Sequence, residues 1–246
     1  MRTSTGSARR FHDREPRADT GHEVWIHQVS RPAVILGSTQ LPGGFDEDRG
    51  ITDSGVEVCR RRSGGGLVIV RPDDVWIDAV IPRHSPLHTD DVGRAFHWFG
   101  QVWLEALRSR LGGPGFDDRD LRLAETPAGR RAANRPFFCF ADVGHGEVLH
   151  RDHKVVGLSQ RRTRNWTRLQ SLLIAVWGPA EIDGLVTDAL SGPSGSADPT
   201  TLGAPPHTAA AVRAGFAPSV AVQVLRPNCV IDAVLERLPV VTHDDH

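Results

Sequence analysis

From Thr89 to Gly112 the residues Val92, Phe96, Phe99, Trp103, Leu107 and Leu111 recur at three- and four-residue steps, the period of a helix that buries one face. Thr89 is the expected N-cap, Asp90 and Asp91 suit the positive end of the helix dipole, and Gly112-Gly113 stops it. An apolar stripe of this length needs another layer to pack on. The surrounding chain offers short β-rich runs. Val24 to Ile26 and Val34 to Leu36 flank Ser30-Arg31-Pro32, and Val56 to Val58 leads into an arginine and glycine run. Leu67 to Val70 and Val75 to Ile81 read as a strand pair around the turn Pro72-Asp73-Asp74. Phe137 to Ala141, Glu147 to His150, Lys154 to Leu158 and Leu169 to Val176 are further strands, the middle two joined by Arg151-Asp152-His153. Strands grouped around one long helix, without regular alternation, predict an α+β fold: a mixed, mainly antiparallel sheet packed with helices.

Residues 1–20 are polar and of mixed charge, and read as a disordered tail rather than a secretory signal. Residues 21–240 are expected to form a single domain whose C-terminal part, 181–240, is helical and interrupted by Gly192-Pro193-Ser194-Gly195-Ser196 and Pro205-Pro206. The 29 basic and 30 acidic residues leave a net charge of −1, so no global field attracts nucleic acid. No apolar run is long enough to span a bilayer, so a membrane partner is not expected. Cys59, Cys139 and Cys229 are an odd count at wide spacing, which points to reduced thiols in a cytoplasm. His145, His150 and His153 lie together, but no cysteine or acidic triad completes a metal site, so none is expected.

Every basic residue except one is arginine; the exception is Lys154, in Lys154-Val155-Val156-Gly157-Leu158-Ser159-Gln160. A lysine kept in so arginine-rich a chain suggests a need for a compact ammonium. Upstream, Arg61-Arg62-Ser63-Gly64-Gly65-Gly66 strips side chains from one stretch of backbone between strands, so its amides can approach a carboxylate or phosphate. The spacing matches neither the phosphate loop of nucleotide hydrolases nor the dinucleotide fingerprint.

Arg-x-Ser-Gly-Gly-Gly ahead of an apolar strand, followed by Lys-Val-Val-Gly-x-Ser-Gln, resembles the catalytic domain shared by lipoate protein ligases and octanoyl transferases, relatives of biotin ligases. Pro32 to Gln40, ending Gly-x-x-Gln, is similar to that family's early strand, and Cys139-Phe140 ahead of Glu147 looks like its cysteine-containing members. The resemblance implies a biotin/lipoate protein ligase-like fold and attachment of a lipoyl or octanoyl group to a lysine of a carrier, such as the glycine cleavage H protein or a dehydrogenase lipoyl domain. It implies ATP, with Mg, as cofactor, and an acyl adenylate intermediate. Lys154 is then the catalytic cation, Gly64, Gly65 and Gly66 with Ser63 and Arg61 surround the acyl head or phosphate, Leu67 and Leu158 line the acyl tunnel, and Gly157 and Ser159 complete the substrate-binding set. The alternative is an ATP-independent transferase that holds the acyl group as a thioester on Cys139, a nucleophile by intrinsic chemistry. A non-catalytic module that binds a lipoyl-like ligand is the third reading.

Overall fold

The computed structural model describes residues 1–17, 21–40, 48, 50–110, 117–125, 138–174, 184–186 and 227–239. Among these described residues, ten strands fall into two sheets. The larger is built from β1 (Arg2–Gly6), β2 (Glu23–Val29), β6 (Val75–Pro82), β7 (Leu121–Leu123), β8 (Val148–His150), β9 (His153–Arg162) and β10 (Trp166–Leu173), in the order β1-β2-β6-β10-β9-β8-β7. Its pairings are antiparallel except β1 with β2. The smaller holds β3 (Ala33–Leu36), β4 (Glu57–Arg60) and β5 (Val68–Val70) in the order β4-β3-β5. This is the mixed, mainly antiparallel α+β architecture expected.

Two apolar clusters hold the layers together. One fills the space between the two sheets; the other lies under helix α2 (Val92–Arg110) and helix α3 (Pro227–Arg237), on the far side of the large sheet. Phe99, Trp103 and Leu107, the stripe of the sequence pattern, are fully buried there. The cap of α2 differs from expectation. Asp91, not Thr89, accepts the first-turn amide of Arg94 (3.0 Å), while Thr89 Oγ1 accepts the Asp91 amide (3.1 Å). Gly112 and Gly113 lie outside the described residues, as does most of 181–240.

Two further expectations are overturned. Leu67 to Val70 and Val75 to Ile81 do not pair: β5 joins the small sheet and β6 the large one, so the Pro72-Asp73-Asp74 turn carries the chain from one layer to the other. Residues 2–13, read as part of a disordered tail, form β1 and a short helix, α1 (Ala8–Asp13). Their order comes from distant residues. β1 pairs with β2 from Arg2↔Trp25 to Gly6↔Val29, the Glu57 carboxylate accepts the first amides of α1 from Ala8 (2.8 Å) and Arg9 (2.9 Å), and Ser7 caps Arg10. Phe11 then stacks on His27 with ring centroids 4.4 Å apart.

Candidate functional site

Strand alternation gives the inner face of the large sheet an apolar row and two polar ones. Across β2, β6, β10 and β9 the register aligns His27, Trp76, Leu172 and Gly157, then Trp25, Asp78, Gln170 and Ser159, then Glu23, Val80, Arg168 and Arg161. The polar rows are closed by α1 and the segment after it. Arg168, buried, donates to the carbonyls of Phe11, His12 and Arg14 and to Asp78. Burial opposes ionisation of Asp78, but Arg168 and a hydrogen bond from His27 outweigh it and hold the carboxyl well below the usual range. Glu15 bridges Arg62 (2.5 Å) and Arg161 (2.7 Å), so two of the surface arginines are engaged within the protein.

The apolar row stays open. Between it and the small sheet runs a narrow slot with Ile35, Val68, Val70, Trp76, Phe140 and Leu172 along its walls. Arg61, Ser159, Gln170 and His12 give it polar lining, and Cys139 borders it too.

The turn that carries Cys139 is tied down from two sides. Its amide donates to Leu67 O (2.8 Å), and the Lys154 ammonium donates to its carbonyl (2.6 Å). Lys154 itself is buried against Glu147, Nζ to Oε2 2.7 Å, with its side chain 2% exposed. Burial penalises the ammonium, yet the Glu147 carboxylate, helped by Cys139 and Asp142, prevails, and Lys154 titrates above the ordinary lysine value. Glu147 also accepts the amides of Gly144 (2.6 Å) and Leu158 (3.2 Å), so it fixes the Cys139 turn relative to β9. Lys154 therefore stands one layer behind the slot.

The glycine run meets the site through its neighbours. Arg61, 7% exposed, donates Nη2 to Gly66 O (3.1 Å) and lies 3.9 Å from Cys139 Sγ, while its buried Nε–H has no hydrogen-bond partner. Gly65 has φ +108°, and a Cβ there would stand 2.5 Å from Arg61 Nη2 and 3.5 Å from Cys139 Sγ, so any other residue would strain the backbone and displace the Arg61 guanidinium. Gly64 instead faces open space. Ser63 Oγ is 3.2 Å from Ser159 Oγ.

Of the expected site residues, Arg61, Cys139, Gly157, Leu158 and Ser159 border the slot and Ser63 touches it through Ser159. Gly64, Gly65, Gly66 and Leu67 do not line it. Leu67 is buried, but Val68 and Val70 form the wall, because the residue between them, Ile69, alternates to the other side of the strand. Leu158 borders the slot and belongs to the cluster under α2. Glu147 and Gln170 stand in stretches that carry the resemblance but are not among the expected site residues, and His12 is not marked by the sequence at all. Glu147 had a signal, an acidic residue just ahead of the lysine hairpin; His12 had none, since its segment carries no periodicity. Among the described residues no group of three or more His, Cys, Asp or Glu could hold a metal ion.

A family model, the lipoyl protein ligase A/B catalytic domain, matches residues 8–176. The chain belongs to that family. The match includes α1, the glycine run, the Cys139 turn and the Lys154 hairpin, and it makes the protein an enzyme of the lipoate-protein ligase kind. Solved structures share the fold at low identity. A T. acidophilum protein of the lipoate protein ligase class, with bound lipoic acid, is 14% identical with TM-score 0.59 over 96% of this chain and 81% of its own. A lipoate-protein ligase A bound with ATP is 16% identical with TM-score 0.53, over 89% and 72%. A bipartite lipoate protein ligase from Thermoplasma acidophilum, studied with its E2 lipoyl domain, is 16% identical with TM-score 0.51, over 90% and 73%. No curated protein sequence is significantly similar to this ligase-family chain. Among its described residues no helix is long and apolar enough to cross a membrane.

Proposed function

We propose that this chain attaches a lipoyl or octanoyl group to a lysine of a lipoyl carrier domain, and that Cys139 holds the acyl group on the way. The observation that carries the reading is the position of the Cys139 thiol, on the border of an apolar slot and 3.9 Å from an arginine with a free N–H. The slot takes the alkyl chain and the thiol attacks the acyl carbon at its end. In the first step the donor's carbonyl carbon bonds to Sγ and the donor's leaving group departs with the thiol proton. In the second the carrier's lysine amine attacks the thioester carbon, an amide forms, and the proton returns to sulfur. Arg61 faces the oxygen on which charge gathers in both steps. Lys154 acts from behind, because its ammonium is spent on Glu147 and on the Cys139 carbonyl; it positions the turn that presents the thiol.

A second reading keeps the acyl adenylate, with ATP and Mg. It is favoured by Gly64, where open space leaves the backbone accessible to a phosphate, and by the similar ligase that binds ATP. Intact-mass measurement separates the two. Incubation with an octanoyl thioester donor and no ATP is expected to add one octanoyl group to the wild type and none to Cys139→Ser. Pyrophosphate release from ATP and free lipoate, with full transfer by Cys139→Ser, would replace the thioester route by the adenylate. No bound octanoate and no transfer by either route would leave neither standing.

A further inference from the structure

We infer that His12, contributed by the N-terminal helix, is a recognition residue for the oxygen-bearing head of the acyl ligand, donating a hydrogen bond from Nε2–H alongside Arg61. This rests on the acyl-transfer reading of the slot and adds to it a residue from a segment outside the glycine and lysine motifs.

His12 borders the slot and is 6% exposed, yet its Nε2 has no hydrogen-bond partner. A buried polar nitrogen left unpaired costs free energy unless something meets it, and a ligand in the slot is placed to do so. The other nitrogen fixes which kind of partner is wanted. Ser63 Oγ contacts Ser159 Oγ (3.2 Å), Ser159 Oγ donates to Gln170 Oε1 (3.3 Å), and the Gln170 amide nitrogen lies 3.5 Å from His12 Nδ1, a long hydrogen bond. With its oxygen accepting from Ser159, Gln170 presents N–H to His12, so Nδ1 accepts and the proton sits on Nε2. The chain that starts beside the glycine run thus ends in an outward donor.

Surrounding charge keeps the ring in this form. Burial, then Arg168 from β10 and Arg61 beyond β4, push the His12 pKa well below its ordinary value; Asp78 on β6 acts the other way and His27 on β2 adds to the lowering. A neutral ring among two guanidinium groups donates without adding a third charge. Arg61 Nε–H is likewise buried and unpaired. Both orphan groups are donors, and both belong to residues that border a slot whose walls are apolar. A carboxylate or acyl carbonyl is the ligand group that answers two N–H donors at the end of a hydrocarbon chain.

The test measures octanoate binding by calorimetry in the whole chain. His12→Leu is expected to weaken binding about tenfold or more, as for a lost hydrogen bond to a charged group, and His12→Gln, which retains an N–H, to recover most of it. Because the ring stays neutral, wild-type affinity is expected to be flat between about pH 6 and 8. Nitrogen NMR of imidazole-labelled protein is expected to show the Nε2–H tautomer in the free state and a shift of Nε2 on addition of octanoate, a readout that a purely structural histidine would not give. Unchanged affinity in His12→Leu with weakened affinity in Arg61→Leu would overturn the role of His12 and leave the slot as the acyl site. An imidazolium or Nδ1–H tautomer at pH 7 would overturn it as well. No octanoate binding by wild type would instead remove the reading on which it rests.

Discussion

The Glu147 carboxylate receives the Lys154 ammonium and the amides of Gly144 and Leu158, and through Lys154 it reaches the Cys139 carbonyl. Taking away the lysine leaves a buried carboxylate with two amides and no counter-charge. Lys154→Met is therefore expected to lose about 3–5 kcal/mol of unfolding free energy in urea titration. Lys154→Arg keeps the charge but not the room, because the side chain is 2% exposed; transfer is expected to fall more than about tenfold while most of the stability remains. Activity of Lys154→Arg close to wild type would show that the turn tolerates a displaced Cys139. Gly157 makes a different demand on the same turn. A Cβ there would lie 2.9 Å from Phe140 Cζ and 3.0 Å from Cε2, so Gly157→Ala must push the ring that walls the slot beside Cys139. Overpacking of this kind costs about 1–3 kcal/mol, and octanoate affinity is expected to drop with it; calorimetry on the variant checks this.

At the scale of elements, α1 decides whether the slot is closed. It is six residues long, too short to be stable by itself, and it is held by Glu57 on β4, by Ser7, and by the burial of Phe11. Its carbonyls in turn accept from Arg168, with Phe11 O and His12 O both engaged. Deletion of residues 1–13 would leave Arg168 with Asp78 and the Arg14 carbonyl alone, and would expose Trp76 and His27. The truncated chain is expected to melt well below the full chain, by circular dichroism, and to lose octanoate binding. Glu57→Ala is the milder probe: it removes the acceptor for two amides and is expected to lose about 1–2 kcal/mol, with weaker ligand binding because His12 is no longer held in place. A deletion variant with wild-type melting and binding would mean that the N-terminal elements are only loosely attached.

For the whole molecule, the buried ionisable groups set the pH range of stability. His12 and His27 have folded pKa values below the unfolded one, so the unfolded chain takes up protons first as pH falls. Their contribution is complete above about pH 7 and is lost progressively below the unfolded histidine value of about 6.5. Asp78, held low, contributes above the unfolded carboxylate value of about 3.9 and loses this as pH falls further. Lys154, held high, contributes below about pH 10.4 and loses it as pH rises through the folded value. A stability plateau between about pH 7 and 10 is expected in chemical denaturation, with His12→Gln flattening the acid side.

The sequence alone determined what repeats along the chain or stands next to itself in it. The α2 stripe, most strands of both sheets, the turn at Arg151-Asp152 between β8 and β9, and the paired glycine and lysine motifs are all local patterns, and a helix period or a run of glycines constrains its own backbone wherever the chain goes; β1 and β7 were not legible, and the strand expected at Phe137 to Ala141 is a tight turn over Cys139–Ala141. The tertiary structure decided whatever depends on residues far apart. β1 and α1 are polar and short, and they are ordered because Trp25, Glu57, Trp76 and Arg168 come to them from three different strands of the large sheet and one of the small. Leu67 and Val68 read alike as apolar neighbours, and only the orientation of β5 against the large sheet sends Val68 and Val70 to the slot. Lys154 read as the group nearest the chemistry, but a carboxylate seven residues before it in the chain and the Cys139 carbonyl draw its ammonium inward, because a buried charge needs its counter-charge more than it needs the ligand.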